Sequence, residues 1–363
     1  MRAVSVKSTA EKLSAYEFLK KLGESVSKMS DSKYFLTLGI LLFFLLGMAL
    51  LSLVIGPVSL SPSTVFRSLF VDNGAVSIVV NDIRLPRTLL AILIGAMLGL
   101  SGAALQGLLR NPLADPSIFG APQMAGLGAV LALYFGFASA LSWGLPFAAI
   151  MGALISIIMI TLVTGRNSRV VILVLTGLTV GNLATAMTSL AISMSPNPYA
   201  VTEIVFWLLG SLEDRSMTHV GLAAPFILVS VVVLMKCAPS LRALTLGEEA
   251  AYSLGIHVTR LRFAIVAASA IGVGASVAVA GSIGFIGLVA PHFARPLTGY
   301  DPARSMPVAM LSGALILLMA DCLTRVIPTV SEIKIGVVTS LLGAPFFLWI
   351  IARRKAELTE ADA

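Results

Sequence analysis

Ten apolar runs separated by short polar connections fill the chain from Phe35 to Ile351: 35–56, 88–109, 118–136, 145–164, 171–193, 219–238, 262–282, 284–296, 306–323 and 335–352. A hydrocarbon core of about 30 Å needs roughly 20 apolar residues per helix. The pattern therefore predicts an all-α polytopic membrane protein of about ten transmembrane helices. The eighth run, GFIGLVAPHFARP, is short and contains Pro291, which removes an interior helical hydrogen bond. It reads as a partial or broken helix, which lipid tolerates only where protein or a water-filled cavity satisfies the freed backbone. The first run is too long for the apolar core of a secretory signal, and no small-residue cleavage site follows it, so it reads as a retained span.

Composition agrees: 57% of the 363 residues are hydrophobic and 12% charged, against about 25% charged in a soluble domain. No separate soluble catalytic domain has room to fold. The net charge of +7 resolves by topology. With the amino terminus in the cytoplasm, 19 of the 25 Lys and Arg fall inside, and Arg67, Arg84, Arg87, Arg215, Arg325 and Lys334 fall outside. The positive-inside rule places both termini in the cytoplasm and makes the basic balance a matter of membrane orientation, not of nucleic acid. The expected organisation is a cytoplasmic tail over 1–33, a transmembrane domain over 34–352 with a cytoplasmic loop at 239–261, and a cytoplasmic tail over 353–363. In the first tail, Ser8 and Glu11 have capping-box spacing, and Leu13, Tyr16, Leu19, Leu22, Val26 and Met29 recur at helical spacing. An interfacial helix and a solvated tail both fit.

Candidate chemistry is sparse. Cys237 and Cys322 lie in different runs, and His219, His257 and His292 are scattered, so neither a disulfide framework nor a metal site is expected. No Gly-x-x-x-x-Gly-Lys-Ser/Thr phosphate loop occurs, so ATP is not bound through that loop. The proposed spans hold no Asp or Glu near mid-bilayer, where ion-coupled carriers place ionisable groups. Asp321 stands four residues before Arg325 near an outer helix end, as an i,i+4 pair would. A self-sufficient ion-coupled carrier or channel is thereby disfavoured against a permease driven by a partner, and a receptor that senses a docked protein is the third reading.

Small residues crowd two runs: Gly95, Gly99, Gly102, Ala103 and Ala104 in the second, and Gly272, Gly274, Ser276, Ala278 and Gly281 in the seventh. They permit close backbone approach between helices, within one bundle in preference to a dimer seam. In the fifth run Thr176, Thr179, Asn182, Thr185 and Thr188 or Ser189 share one helical face. They make either a mildly polar pathway wall, with Thr179, Asn182 and Thr185 at its centre, or a set of interhelical hydrogen bonds. In the cytoplasmic loop LGEEAAYSLGIHVTRLR, a short helix is expected from Glu248 to Leu254, ending at Gly255 in a left-handed C-cap. EAAYSLG has the Glu-Ala-Ala, three residues, then Gly spacing of the coupling loop of ATP-driven importers.

Three blocks carry a wider likeness: RLPRTLLAILIGAMLGLSGAALQGLLRNPLADPSIFG, LGEEAAYSLGI with VAVAGSIGFIGLVAPHFAR, and MADCLTRV with EIKIGVVTSLLGAPFFLWII. In these the chain resembles the permease subunits of bacterial ATP-binding-cassette importers for iron chelates and vitamin B12, which include ferric-siderophore, haem and cobalamin permeases. The resemblance implies a type II importer permease fold in the bacterial inner membrane. It also implies a second permease copy, two cytoplasmic ATPase subunits holding ATP and Mg, and a periplasmic substrate-binding protein. This chain itself would bind no cofactor and catalyse no reaction. By the same resemblance Arg84, Arg87 and Arg325 would grip carboxylates of the binding protein. Gly247, Glu248, Glu249, Ala250, Ala251, Leu254 and Gly255 would sit in a groove of the ATPase. A ferric siderophore is favoured as cargo over haem and cobalamin.

Overall fold

The structure, a computed structural model, describes residues 31–71, 74–136, 143–165, 170–195, 198–329 and 331–361. The amphipathic pattern from Ser8 to Met29 lies outside the described residues. Each of the ten apolar runs is helical, and the described residues contain no strand. The first span is α1 (Asp31–Val54). A short α2 (Pro62–Ser68) follows, begun by Ser61, whose hydroxyl accepts from the Thr64 amide, with proline in its first turn. The second span, α3 (Ala75–Leu109), opens with a π-helical stretch over Ile78–Arg84. Then come α4 (Ala121–Tyr134), α5 (Gly144–Thr164), α6 (Val170–Ser193), α7 (Pro198–Leu208) and α8 (Met217–Leu244). The loop helix α9 (Glu248–Ser253) leads to α10 (Val258–Ala280), α11 (Ile286–Leu297), α12 (Pro302–Val326) and α13 (Ile335–Ala361).

Seven of these helices are long and apolar enough to cross a membrane; α4 and the apolar part of α13, Ile335–Leu348, are shorter. The third run is divided because Gly120 adopts a left-handed φ of 66° between a 3-10 turn (Pro116–Phe119) and α4. A Cβ at Gly120 would lie 2.6 Å from the Gly181 amide of α6, so only glycine allows this breadth of turn and this approach together. The eighth run is the partial helix expected: α11 has 12 residues, contains Pro291 and Pro296, and follows an irregular stretch ending at Phe285. Two elements depart from the expected pattern. The amphipathic α7, only 11 residues long, is too short to register as a span, and α13 continues as helix past the expected boundary at 353 to Ala361.

Helices α3 and α10 form the centre, each with 78% of its apolar window buried, whereas α1 has 17% and lies at the periphery. Lipid offers no hydrophobic drive for helix association, so close backbone contact must supply it. The small residues do this within the one chain. A Cβ added to Gly99 would stand 2.2 Å from the Ala309 carbonyl oxygen of α12, and one on Gly102 would stand 1.8 Å from that of Gly287 in α11. In α10, Gly274 lies against Ala153 of α5, and Gly281, which caps the end of that helix, lies against the Trp207 carbonyl. Between the two readings of these residues, the structure chooses intrachain packing.

Polar ties, most of them between side chains, close both ends of the bundle. At the end of α9, Arg110 donates to the Leu244 carbonyl, Arg242 pairs with Asp301, and Arg304 pairs with Asp31 of α1. At the opposite end Lys334 Nζ donates to Glu213 Oε2 at 2.7 Å, and the Ser211 amide donates to the Ala280 carbonyl at 2.8 Å.

Candidate functional site

The three arginines expected on the outer face do meet, at the end of the bundle opposite α9, but their guanidinium groups turn inward. Arg84 closes the π-helical stretch, and its Nη1 donates to the carbonyls of Leu53 and Val54 at 2.8 and 2.7 Å, its Nη2 to that of Val58 at 2.5 Å. It thereby satisfies carbonyls left without partners where α1 ends. Arg87 donates from Nε to Asp321 Oδ1 at 2.7 Å and from Nη1 to Glu332 Oε2 at 2.9 Å, while its Nη2 engages the other Glu332 oxygen. Arg325 pairs with Asp321, four residues earlier, and donates from Nη1 to the Ser52 carbonyl at 2.9 Å. Asp321 is fully buried, and Arg84 and Arg87 are only 4% and 8% exposed.

Two of the three cations, Arg87 and Arg325, thus share two carboxylates, and Arg84 rests on backbone carbonyls at and just past the end of α1. The expected i,i+4 pair of Asp321 and Arg325 is present as one part of a longer network joining α1, α3, α12 and the connection to α13. Burial pushes the Glu332 carboxyl upward, and the Arg87 guanidinium more than offsets it, holding it below the ordinary glutamate range. Beside the network opens a cavity of about 900 Å3, whose wall includes Arg84, Arg87, Arg325, Glu213 and Glu332. The arginines therefore line a charged mouth without projecting from it.

At the other end the loop helix takes the expected form. Glu248 and Glu249 occupy the first turn of α9, where carboxylates complement the helix dipole. The helix ends in a Schellman arrangement: the Gly255 amide donates to the Tyr252 carbonyl at 2.9 Å and the Ile256 amide to that of Ala251 at 3.0 Å, with Gly255 at φ 81°. Ala251 is fully buried and pins the helix, Ala250 is half-buried beside it, and Glu248 pairs with Arg262 of α10 at 2.5 Å. Gly247, at φ 116°, makes the turn into α9. Three large apolar side chains face outward from this loop: Leu246, Tyr252 and Leu254, at 71%, 71% and 63% exposed. Sequence reasoning singled out Leu254 but not Leu246 or Tyr252, although large apolar residues inside a charged loop are themselves a sign of a covered surface.

Between the two ends lies a cavity of about 530 Å3 walled by α3, the 115–117 turn, α4, α6, α7, α10 and residues 282–288. Of the expected pathway residues, Thr185 lines it, together with Thr188 and Ser189. Thr179 and Asn182 do not; both are exposed on the outer side of α6. The hydroxyls of Thr179, Thr185 and Ser189 bond back to carbonyls of their own helix, at 2.8, 3.0 and 3.0 Å, so those hydroxyls are not spent on bonds between helices. The cavity also presents Asp115, Gln123 and Trp207, which sequence reasoning passed over. Asp115 Oδ1 accepts from the Ser117 amide at 2.9 Å. Burial pushes its carboxyl up, and the Ser117 hydrogen bonds recover part of that shift. Among the described residues no group of three or more His, Cys, Asp or Glu is placed to hold a metal.

Residues 41–353 match the model of the FecCD transport family. The Fe(3+)-citrate import system permease protein YfmE of Bacillus subtilis is 38% identical, over 86% of this chain and 93% of its own length. The hemin transport system permease protein HmuU of Yersinia pestis is 37% identical, over 89% and 97%. The cobalamin import system permease protein BtuC of Halobacterium salinarum is 37% identical, over 77% and 74%. Among solved structures, an inward-facing conformation of a metal-chelate type ABC transporter superposes with a TM-score of 0.78 at 32% identity, covering 88% of this chain and 99% of that one. The family match runs through the apolar helices, the loop helix and the arginine network alike, and by it this chain belongs to the FecCD transport family.

Proposed function

We propose that this chain is the membrane subunit of an ATP-driven importer that moves an iron chelate, a ferric siderophore by preference, through the bacterial inner membrane. The observation that carries the reading is α9: a rigidly capped helix at one end of the bundle, pinned by Ala251 and by the Glu248 to Arg262 pair, offering Leu246, Tyr252 and Leu254 to a partner. ATP and Mg belong to that partner, an ATPase pair, and this chain catalyses nothing. The charged mouth at the opposite end receives a periplasmic binding protein. Because Arg84, Arg87 and Arg325 are engaged internally, docking there involves the acidic and basic wall as a unit. The exposed face of α6 with Thr179 and Asn182, which no part of the described chain covers, faces a second permease copy.

The mechanism follows from differential binding. Closure of the ATPase pair on ATP pulls on α9, which is continuous through short connections with α8 and α10, and so favours one arrangement of the bundle over the other. A partner shifts that equilibrium only by its difference in affinity for the two states. The test is purification of the intact chain from its native membrane in mild detergent, beside a variant with Leu246, Tyr252 and Leu254 changed to serine. An ATP-binding subunit should accompany the first and be lost from the second. If the intact chain comes alone under conditions that preserve comparable complexes, a self-sufficient carrier takes the place of this reading.

A further inference from the structure

At the α9 end of the bundle a cavity of about 320 Å3 opens between α3, α11 and α12, a size at the small end of ligand pockets. Its wall carries Arg110, Arg295 and Tyr300, and no Asp or Glu. Each arginine is fixed by an uncharged acceptor: Arg110 donates from Nη2 to the Leu244 carbonyl, and Arg295 from Nη2 to Gln106 Oε1 at 2.7 Å. Gln106 is buried and is itself oriented by donating to the Ala114 carbonyl at 3.2 Å. The nearest carboxylate along the chain, Asp301, is taken up by Arg242 and by the Ala303 amide. The start of α12 reaches the wall through Pro302 and Ser305, and a helix start adds partial positive charge.

Two of these residues hold their places at a backbone cost. Among the described residues four other than glycine have a positive φ, and two of the four, Arg110 at 48° and Tyr300 at 62°, line this one cavity. Glycine fits that region without strain, and a strained backbone persists where the side chain or its surroundings require it. Exposed apolar side chains flank the wall residues in the chain: Leu113 follows Pro112, and Leu297 comes two residues after Arg295. The charge distribution of the sequence puts this end at the cytoplasmic leaflet, where basic pockets between spans take anionic headgroups.

We propose that the cavity is a site for the phosphate of an anionic phospholipid of the cytoplasmic leaflet, held by Arg110, Arg295 and the Tyr300 hydroxyl. Guanidinium forks match the oxygens of a phosphodiester. A soluble phosphate shares that chemistry but leaves the apolar side chains in water, whereas a phospholipid covers them. Because Arg110 also touches the last residue of α8, the headgroup sits against the junction from which α9 departs. The inference goes beyond the importer reading and is independent of it, since it requires only that the bundle span a membrane in this orientation.

The test is competition for tritiated dioleoyl phosphatidylglycerol on the immobilised full chain in non-ionic detergent, with no partner protein present. The competitors are unlabelled phosphatidylglycerol, zwitterionic phosphatidylcholine with the same acyl chains, and inorganic phosphate. One basic residue near anionic lipid contributes about fivefold, so the two arginines should place half-displacement by phosphatidylglycerol about thirtyfold below that by phosphatidylcholine. Inorganic phosphate should not displace the label at concentrations where phosphatidylglycerol does so fully. Arg110→Gly suits the left-handed backbone, so it should melt close to the parent while cutting the lipid ratio about fivefold. Arg295→Gln should cut it similarly. Lys236→Gln, which removes an exposed charge of α8 outside the cavity wall, should leave the ratio unchanged.

Equal displacement by the two lipids, or a ratio unmoved in both Arg110→Gly and Arg295→Gln, overturns the proposal. Displacement by inorganic phosphate at the concentration that suffices for phosphatidylglycerol overturns the lipid assignment and makes the cavity a site for soluble phosphate. A fall in the ratio as large in Lys236→Gln as in the cavity variants shows a diffuse effect of surface charge and overturns the site as well.

Discussion

Removal of Asp321 probes the arginine network most directly. Its carboxylate is fully buried and holds two guanidinium groups at once, Arg87 through Oδ1 and Arg325 through Oδ2. In Asp321→Ala, Arg325 keeps only the Ser52 carbonyl at 2.9 Å, whereas Arg87 keeps its two-pronged contact with Glu332. One carboxylate then remains for Arg87 and Arg325, and only Arg87 touches it. Truncating one member of a buried pair costs about 3–5 kcal/mol. The surviving Glu332 puts this case near the lower end, at about 3 kcal/mol. At roughly 2–4 °C per kcal/mol, the midpoint for loss of monodisperse protein on heating in detergent should fall by about 6–12 °C. Asp82→Ala, at an exposed position of the π-helical stretch, should leave it unchanged. Replacing the pair by apolar residues, Asp321→Leu with Arg325→Met, should recover part of the loss, because no orphaned charge remains on α12. An Asp321→Ala chain that melts with the parent would refute the reasoning, and the network would then contribute nothing to holding α1, α3 and α12 together.

Glu332 gives the same network a pH dependence. Its carboxyl is held below the ordinary glutamate range, so its stabilisation is complete above about pH 4.3 and is lost as pH falls through the lower, folded value. A melting series toward acid should show this component in the parent and not in Glu332→Gln. At the α3–α12 contact, Gly99→Ala places a methyl 2.2 Å from the Ala309 carbonyl oxygen and should cost about 1–3 kcal/mol, read as a lower melting midpoint. Gly221→Ala, whose added Cβ meets nothing within 4 Å, should not lower it. Gly255→Ala must hold a φ of 81° at a cost of about 1–2 kcal/mol, confined to the loop. It should reduce the amount of ATPase that copurifies while leaving the melting midpoint of the bundle in place, and retention of the partner at the parental level would count against α9 as the coupling element.

What can be read along the chain is what local spacing controls. Lipid requires that each span satisfy its own backbone, so apolar runs mark the helices whatever they pack against, and Pro291 marks the partial one. The turn at Gly255 and the pair of Asp321 with Arg325 were legible for the same reason, since their partners stand within a few residues. The likeness of three sequence blocks to a permease family was also local, and residues 41–353 match that family. Helix α7 escaped because 11 residues fall below the length a bilayer demands. The direction of the arginines was decided only in three dimensions. Arg84 finds carbonyls 26 to 31 positions earlier in the chain, and Arg87 finds carboxylates 234 and 245 positions later. Likewise the periodicity of α6 put Thr179, Asn182 and Thr185 on a common polar face, but only the placement of α4, α7 and α10 turned Thr185 toward a cavity and left the other two outside. Sequence alone determined which segments are apolar helices and where the short loop helix lies, because hydrocarbon and backbone geometry act residue by residue. Tertiary structure decided which charges are satisfied and which polar groups face the cavity, because a buried charge takes whatever partner the packing of distant helices brings within reach.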